Sequence, residues 1–303
     1  MHKITTIDDN WIGRPRSIGT ALLESDGHRA IVDPGPGSTL DTLKKELRAH
    51  GASVSELDAI LLTHIHLDHA GATGALVKEN PKLAVYVHNL GAPHMIDPSK
   101  LLASAARLWP DTLQQLFGEA LPVPGENLRI LEGGETLKLG SRKIEVAYTP
   151  GHASHHVSYF EDVEGVAFVG DTTGVRIEGH SYAMPATPPP DIDLKIWDGS
   201  FAAILERKPK RLFLTHFGYS DNPAAHIAEF RERLHRWMEM TEKILQTARD
   251  DAQAMDSFMA TTRAEIVQHL PAEDVEQYIQ TAGLNLSFLG LARHVRKRAQ
   301  AAS

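Results

Sequence analysis

The segment Thr63-His64-Ile65-His66-Leu67-Asp68-His69 puts four side chains of metal-ligating type within six residues, directly after the apolar run Ala59 to Leu62. Two histidines spaced two apart at the end of a strand can point out of it toward one place, with Asp68 and His69 following in the turn. Neutral imidazole and carboxylate are borderline-to-hard donors suited to zinc, iron or manganese. A lone histidine is usually structural. Four such groups at a strand exit, with Gly71 permitting a tight entry into a helix, are hard to account for by packing. The chain has no cysteine, which excludes disulfides, thiolate ligands and a cysteine nucleophile, so a metal site here must use His and carboxylates.

Three later apolar runs end in the same way. Lys143 to Tyr148 delivers Thr149-Pro150-Gly151-His152, Val166 to Val169 delivers Gly170-Asp171, and Leu212 to Leu214 delivers Thr215-His216. Side chains at the ends of rigid strands are where function collects, and the repetition points to one shared site.

In this order and spacing, across about residues 15 to 216, these motifs resemble the metallo-β-lactamase superfamily. The resemblance implies an α/β fold, a four-layer αβ/βα sandwich with metals at one edge of two face-to-face sheets. It also implies two divalent metal ions, zinc first, with iron or manganese as alternatives. His64, His66 and His152 would hold one, Asp68, His69 and His216 the other, and Asp171 would bridge them. Some antibiotic-degrading members carry a cysteine where Asp171 stands, and the all-His/Asp set is closer to the glyoxalase II, lactonase and phosphodiesterase branches. Asp33 and Asp58 resemble the carboxylates that orient ligand imidazoles, and His156 the second histidine after the Pro-Gly-His turn. The implied activity is hydrolysis of an ester-like bond in a small molecule (lactone, thioester or phosphoester) by a metal-bridging hydroxide, with Asp68 as the catalytic carboxylate. The alternative on the same fold is a non-haem iron oxidoreductase of the persulfide-dioxygenase kind.

The elements that must position these residues are legible from periodicity. Ile18 to Leu23 and Arg29 to Asp33 read as a hairpin across Ser25-Asp26-Gly27, and Ser38 as the cap of a helix carrying Leu40, Leu43 and Leu47. Further strands are expected at Ala84 to Val87, Leu128 to Leu131 and Val157 to Phe160. Ser99 to Phe117 reads as two helical pieces broken at Pro110. Ala183 to Asp191, with Pro185, Pro188, Pro189 and Pro190, reads as a stiff surface loop. From Asn222 and Pro223 onward the pattern is helical: one helix bears Ile227, Phe230, Leu234, Trp237 and Ile244 on one face, and two more helices follow to about Arg298. The division is thus a catalytic domain over residues 1–220 and a helical C-terminal extension over 221–303. The extension either helps to bind substrate, as the helical C-terminal region of glyoxalase II does, or packs on the core and supports a homodimer, which the apolar stripe with Phe230 and Trp237 would fit.

His94 is a candidate for substrate contact, and Tyr182, Met184 and Trp197 for a pocket wall or core. His88 reads as a strand-end structural residue and His180 as exposed. A net charge of -8 disfavours nucleic acid as a partner. The basic end, Arg293 to Arg298, reads as favourable charge at a helix terminus. No apolar run approaches the roughly 18–20 residues of a membrane span, and the first residues lack the long apolar run of a signal peptide. The expected setting is cytoplasmic, with a small molecule as substrate.

Overall fold

In the computed structural model, which describes residues 2–177, 179–190 and 192–302, two sheets of six strands lie face to face. The first runs in chain order: β1 (His2–Asp8), β2 (Gly19–Ser25), β3 (His28–Val32), β4 (Ala59–Leu61), β5 (Ala84–His88) and β6 (Leu128–Leu131). Its first three strands pair antiparallel and the rest parallel. The second contains β7 (Thr136–Leu139), β8 (Arg142–Tyr148), β9 (Val157–Glu161), β10 (Val166–Phe168), β11 (Arg211–Leu214) and β12 (Gly218–Ser220). It is antiparallel except where β10 and β11 run parallel.

Side-chain alternation sorts each strand between two cores. Ala21, Leu23, Ala30, Val32, Leu61, Val146, Phe168 and Phe213 fill the space between the sheets. Leu22, Ile31, Ile60 and Leu62 face outward onto α1 (Leu40–Ala49), which contributes Leu43 and Leu47, and α3 (Thr73–Glu79), which contributes Leu76 and Val77. Strands covered on both faces read as continuous apolar runs, which is why the central ones are visible in the sequence. On the far side, Ala167, Val169, Leu212 and Leu214 pack under α7 (Leu194–Glu206), α8 (Pro223–Thr247), α9 (Asp251–His269), α10 (Ala272–Ala282) and α11 (Leu284–Ala302). Helix, sheet, sheet, helix is the four-layer order the motifs imply.

The β2–β3 hairpin turns on Asp26 and Gly27, both at positive φ (52° and 87°), as the sequence predicts. Strands β1, β7 and β12 were not expected; β1 and β7 are half-exposed edge strands with little apolar signal. Ser38 does not cap α1: a 3-10 turn over Gly37–Thr39 precedes that helix, and Ser38 Oγ instead donates to the Leu116 carbonyl at 2.6 Å. Ser99 to Phe117 forms α5 (Ser99–Leu108) and α6 (Leu113–Phe117), broken where expected. Two short helices, α2 (Leu67–Ala70) and α4 (Ala92–Ile96), complete the set.

The helical region after residue 220 has three helices beyond α8, not two, because Pro271 and Gly283 each break the chain. Asn222 Oδ1 accepts from the Ala225 N–H and so caps α8. Phe230 and Trp237 are wholly buried within the chain, against Trp197 with Phe201 and against Phe258, so this stripe covers the protein's own core. The proline-rich stretch is not a surface loop. Tyr182, Ala183, Met184, Ala186 and Thr187 are buried under the helices. Proline has no N–H to satisfy, and Ser287 serves Thr187, accepting from its N–H and, through its carbonyl, from its hydroxyl. Within the stretch Pro190 is exposed, and Asp191 lies outside the described residues.

Glu265 on α9 ties these layers together. It accepts from Tyr182 Oη at 3.1 Å, Arg233 Nε at 3.0 Å, an Arg236 nitrogen at 2.7 Å and Trp237 Nε1 at 3.2 Å. Arg233 is buried, also donates to the Ala183 carbonyl, and lies 3.9 Å over the Tyr182 ring. Burial pushes the Glu265 carboxyl upward, but Trp237, Arg236, Tyr182 and Arg233 outweigh it and hold it below its ordinary 4.5. A depressed carboxylate stabilises the fold above the unfolded value and loses that contribution as pH falls through the folded one. Glu265→Ala, which removes one of the two carboxylate partners of buried Arg233 and leaves Glu229 as the other, is expected to cost about 2 kcal/mol at neutral pH. In urea denaturation, the gap to wild type should shrink as pH drops below 4.5.

Candidate metal centre

The seven candidate ligands and the supporting carboxylate of Asp33 all sit where a strand of the sandwich ends. Asp33 follows β3, His64 to His69 follow β4 and enter α2, His152 follows β8, Asp171 follows β10, and His216 follows β11. The turns are fixed by backbone demands. Gly151 stands at φ +137°, and a Cβ there would strike Trp197; at Gly170, φ +46°, a Cβ would strike Thr63 and His156. Only glycine satisfies both constraints.

Asp33, fully buried, holds the exits of three strands together. Its Oδ1 accepts from the Thr63 N–H at 2.8 Å, and its Oδ2 from Thr63 Oγ1 at 2.7 Å, His69 Nδ1 at 2.9 Å and Thr215 Oγ1 at 2.9 Å. Because the Thr63 hydroxyl donates to Asp33, it can only accept from His64 Nδ1, 3.1 Å away. His152 Nδ1 donates to the Ala186 carbonyl at 2.9 Å, and His216 Nδ1 to the Ser17 carbonyl at 2.8 Å. The four imidazoles of His64, His69, His152 and His216 are therefore fixed by Nδ1–H donation and turn Nε2 inward.

Three ring nitrogens then crowd together: His66 Nδ1 lies 3.0 Å from His64 Nε2 and 3.1 Å from His152 Nε2. Lone pairs on His64 and His152 converge there. The second set is Asp68, His69 and His216, with Asp68 Oδ2 3.3 Å from His216 Nε2 and 3.8 Å from His69 Nε2. Asp171 lies between the sets, Oδ2 at 3.5 Å from His152 Nε2 and Oδ1 at 3.2 Å from His69 Nε2 and 3.6 Å from His216 Nε2. His69 Nε2 and Asp171 Oδ1 are buried and neither has a hydrogen-bond partner of proper geometry. Converging acceptors and orphaned buried polar atoms both call for cations, and the nitrogen and oxygen donors suit divalent ions.

The electrostatics differ between the two sets. Burial, reinforced by neighbouring imidazoles, pushes His64 well below the ordinary histidine value, His66 down to about 4, and His152 below it as well. His69 and His216 feel the same burial, but Asp171 and Asp68 outweigh it and hold both above 6.5, Asp33 adding to the effect on His69. Burial likewise opposes ionisation of Asp68 and Asp171, yet the facing histidines keep both low, Asp68 at about 2. One set is thus neutral and ready for a cation, and the other holds protons that a cation must displace.

A family model for the metallo-beta-lactamase superfamily matches residues 14–216. The chain belongs to the metallo-beta-lactamase superfamily. The protein ST1585 from Sulfurisphaera tokodaii, a metallo-beta-lactamase fold-containing protein, is 32% identical over 168 residues, 54% of this chain and 62% of that one. A hydroxyacylglutathione hydrolase from Aeromonas salmonicida is 30% identical over 152 residues, 50% of this chain and 44% of the hydrolase. These sequence matches thus span about half of this chain and less than two thirds of either relative. In three dimensions, a metallo-beta-lactamase family protein from Thermus thermophilus, TTHA1429, superposes with a TM-score of 0.73 at 18% identity, over 98% of this chain and 94% of the other. That coverage extends through the helical region, so the likeness in fold is not confined to the sandwich.

Of the supporting residues read from the sequence, Asp33 occupies the expected place and Asp58 does not. Asp58 precedes β4, at the end of the sheet away from the site, where it is exposed and binds the Arg29 N–H and His28. His156 is buried behind His64, stacked at 5.1 Å and held by Thr149 and Thr172. His88 stacks on Tyr148 at a strand end, as expected. His180 is half-buried and pairs with Asp274 at 2.8 Å rather than being exposed. Tyr182, Met184 and Trp197 belong to the core, Trp197 donating to the Thr172 carbonyl beside His152. His94 does line the cavity that opens over the centre.

Sequence reasoning missed His155, which lines that cavity and accepts the Ile65 N–H at Nδ1, leaving the proton on Nε2. Nothing distinguishes it in the sequence from its neighbour His156. The carbonyls of Ser17 and Ala186 were likewise invisible, since any residue type supplies one.

Two outcomes are expected. Uptake of zinc by metal-free protein near neutral pH should release protons, because His69 and His216 are held above 6.5, and affinity should rise with pH; calorimetry in buffers of different ionisation enthalpy measures both. Asp33→Ala leaves the Thr63 N–H and the His69 Nδ1–H unpaired, and should lower stability by about 3–5 kcal/mol and reduce bound metal in elemental analysis.

Proposed function

We propose that the chain is a dinuclear metal-dependent hydrolase acting on an ester-like bond of a small molecule, with zinc as the first candidate ion. The observation that carries this reading is the sharing of Asp171 by two donor sets that open, with Asp68, into one cavity of about 880 Å³. His64, His66 and His152 would hold one cation, and Asp68, His69 and His216 the other, with Asp171 between. Two such cations, when bound, bring the pKa of water between them toward neutrality and draw charge from the substrate carbonyl.

The chain's own residues do the rest. Asp68 is half-buried, faces the cavity and stays ionised, so it can accept a hydrogen bond from the attacking water, orient it and take up its proton. Buried Asp33, Ser17 and Ala186 fix the imidazoles so that little reorganisation is needed as charge develops. His155, neutral with its proton on Nε2, is available as a donor to a substrate oxygen at the cavity wall. No serine or cysteine nucleophile is required.

Hydroxyacylglutathione hydrolase is the printed name of a relative at 30% identity over half the chain, which favours a carboxylic ester or thioester over a phosphoester. An iron dioxygenase working with one ion would leave a donor set idle, whereas each set here brings three donors together, with His66 and Asp68 half-buried at the cavity and the rest buried. Asp68→Asn is the decisive variant: kcat on any ester substrate should fall about 10²- to 10⁴-fold. Wild-type turnover by a variant with full metal content would remove Asp68 from the mechanism.

A further inference from the structure

We propose that the substrate's acyl part is a medium or long apolar chain, and that the chamber beside the metal centre is built to hold it. This rests on the hydrolase reading above. The cavity that contains His66, Asp68, His152 and Asp171 runs between two walls drawn from distant parts of the chain. One is the α5–α6 pair, which presents Leu101, Leu108 and Trp109; the other is the α10–α11 junction, which presents Ile279 and Leu286. Its exposed lining is mostly apolar.

The α5–α6 wall is not simply core. Trp11, Ala105 and Phe117 are buried together, whereas Leu101, Trp109 and Leu116 around them are only partly covered and line the cavity. Apolar side chains left half-covered beside a reaction centre gain from an apolar ligand.

Charge argues against a glutathione conjugate. Arg14 and Lys100 are the only lysine or arginine among the described lining residues. A carboxylate stands near each: Glu276, held low chiefly by Arg263 and slightly by Arg14, and Asp97, held low chiefly by Ser99 and slightly by Lys100. Two carboxylates of a tripeptide would meet only these two cations in a mostly apolar lining, while a hydrocarbon chain meets leucine, isoleucine and tryptophan.

The test is a series of straight-chain acyl thioesters, butanoyl to decanoyl, on one neutral leaving group, with lactoylglutathione as comparator and zinc-loaded protein as enzyme. Each added methylene should raise kcat/KM up to about fourfold until the chamber fills, so that decanoyl exceeds butanoyl by about 100-fold or more. Ser104→Trp, which projects bulk into the chamber from α5, should lower the decanoyl-to-butanoyl ratio at least about tenfold; Leu108→Asp serves if that variant does not fold. Decanoate added to metal-free protein should shift tryptophan emission through Trp11 and Trp109, and butanoate at the same concentration should not. A flat chain-length profile, or preference for lactoylglutathione, overturns the proposal and leaves the hydrolase reading standing. Failure to cleave any thioester or ester, with decanoate still bound, overturns the hydrolase reading instead.

Discussion

The buried carboxylate of Asp33 is the interaction on which the rest of the site depends. It ties the exits of β3, β4 and β11 with four hydrogen bonds, from the Thr63 N–H, the Thr63 hydroxyl, the His69 ring and the Thr215 hydroxyl. A charge so enclosed is costly unless every lone pair is used, and here the donors come from strands of both sheets. Closing the sandwich and orienting His69 are therefore one event. The proton order set by Asp33 passes through Thr63 to His64, so a single group decides which nitrogen two of the imidazoles present.

The same economy explains the contrast between the donor sets. His64, His66 and His152 crowd one another with little negative charge nearby, and burial leaves them neutral. His69 and His216 face Asp68 and Asp171, and the four groups settle as an ion cluster. The protons of that cluster occupy the positions a cation would take, so the uptake of a cation would exchange for protons.

The ligand types were legible because catalysis at strand ends leaves a local signature. His64 to His69 are contiguous, and His152, Asp171 and His216 each follow an apolar run long enough to read as a strand. The central strands were legible because both faces are buried. What failed did so for tertiary reasons. Asp58 and Asp33 look alike beside a strand, but they sit at opposite ends of the sheet, and only strand direction separates them. The proline-rich stretch lacks the periodicity of a buried element, and its burial comes from helices a hundred residues away, through Ser287 and Thr187. His155 and His156 are adjacent and identical; one turns to the cavity and the other to Thr149 and Thr172.

The separation between the proposed chemistry and the proposed choice of substrate has a structural origin. The donor sets belong to the sheets, whose register is set by alternation and whose ends are tied by Asp33. The chamber walls come from α5–α6, inserted between β5 and β6, and from α10–α11, beyond the last strand. Neither wall contributes a proposed ligand, so their side chains can change without disturbing metal geometry. Conversely, the walls cannot be read from the metal motifs. Their chemistry appears only when the helices fold back over the centre, and it is there that Trp109, Leu108 and Ile279 acquire a shared meaning that their sequence positions do not carry.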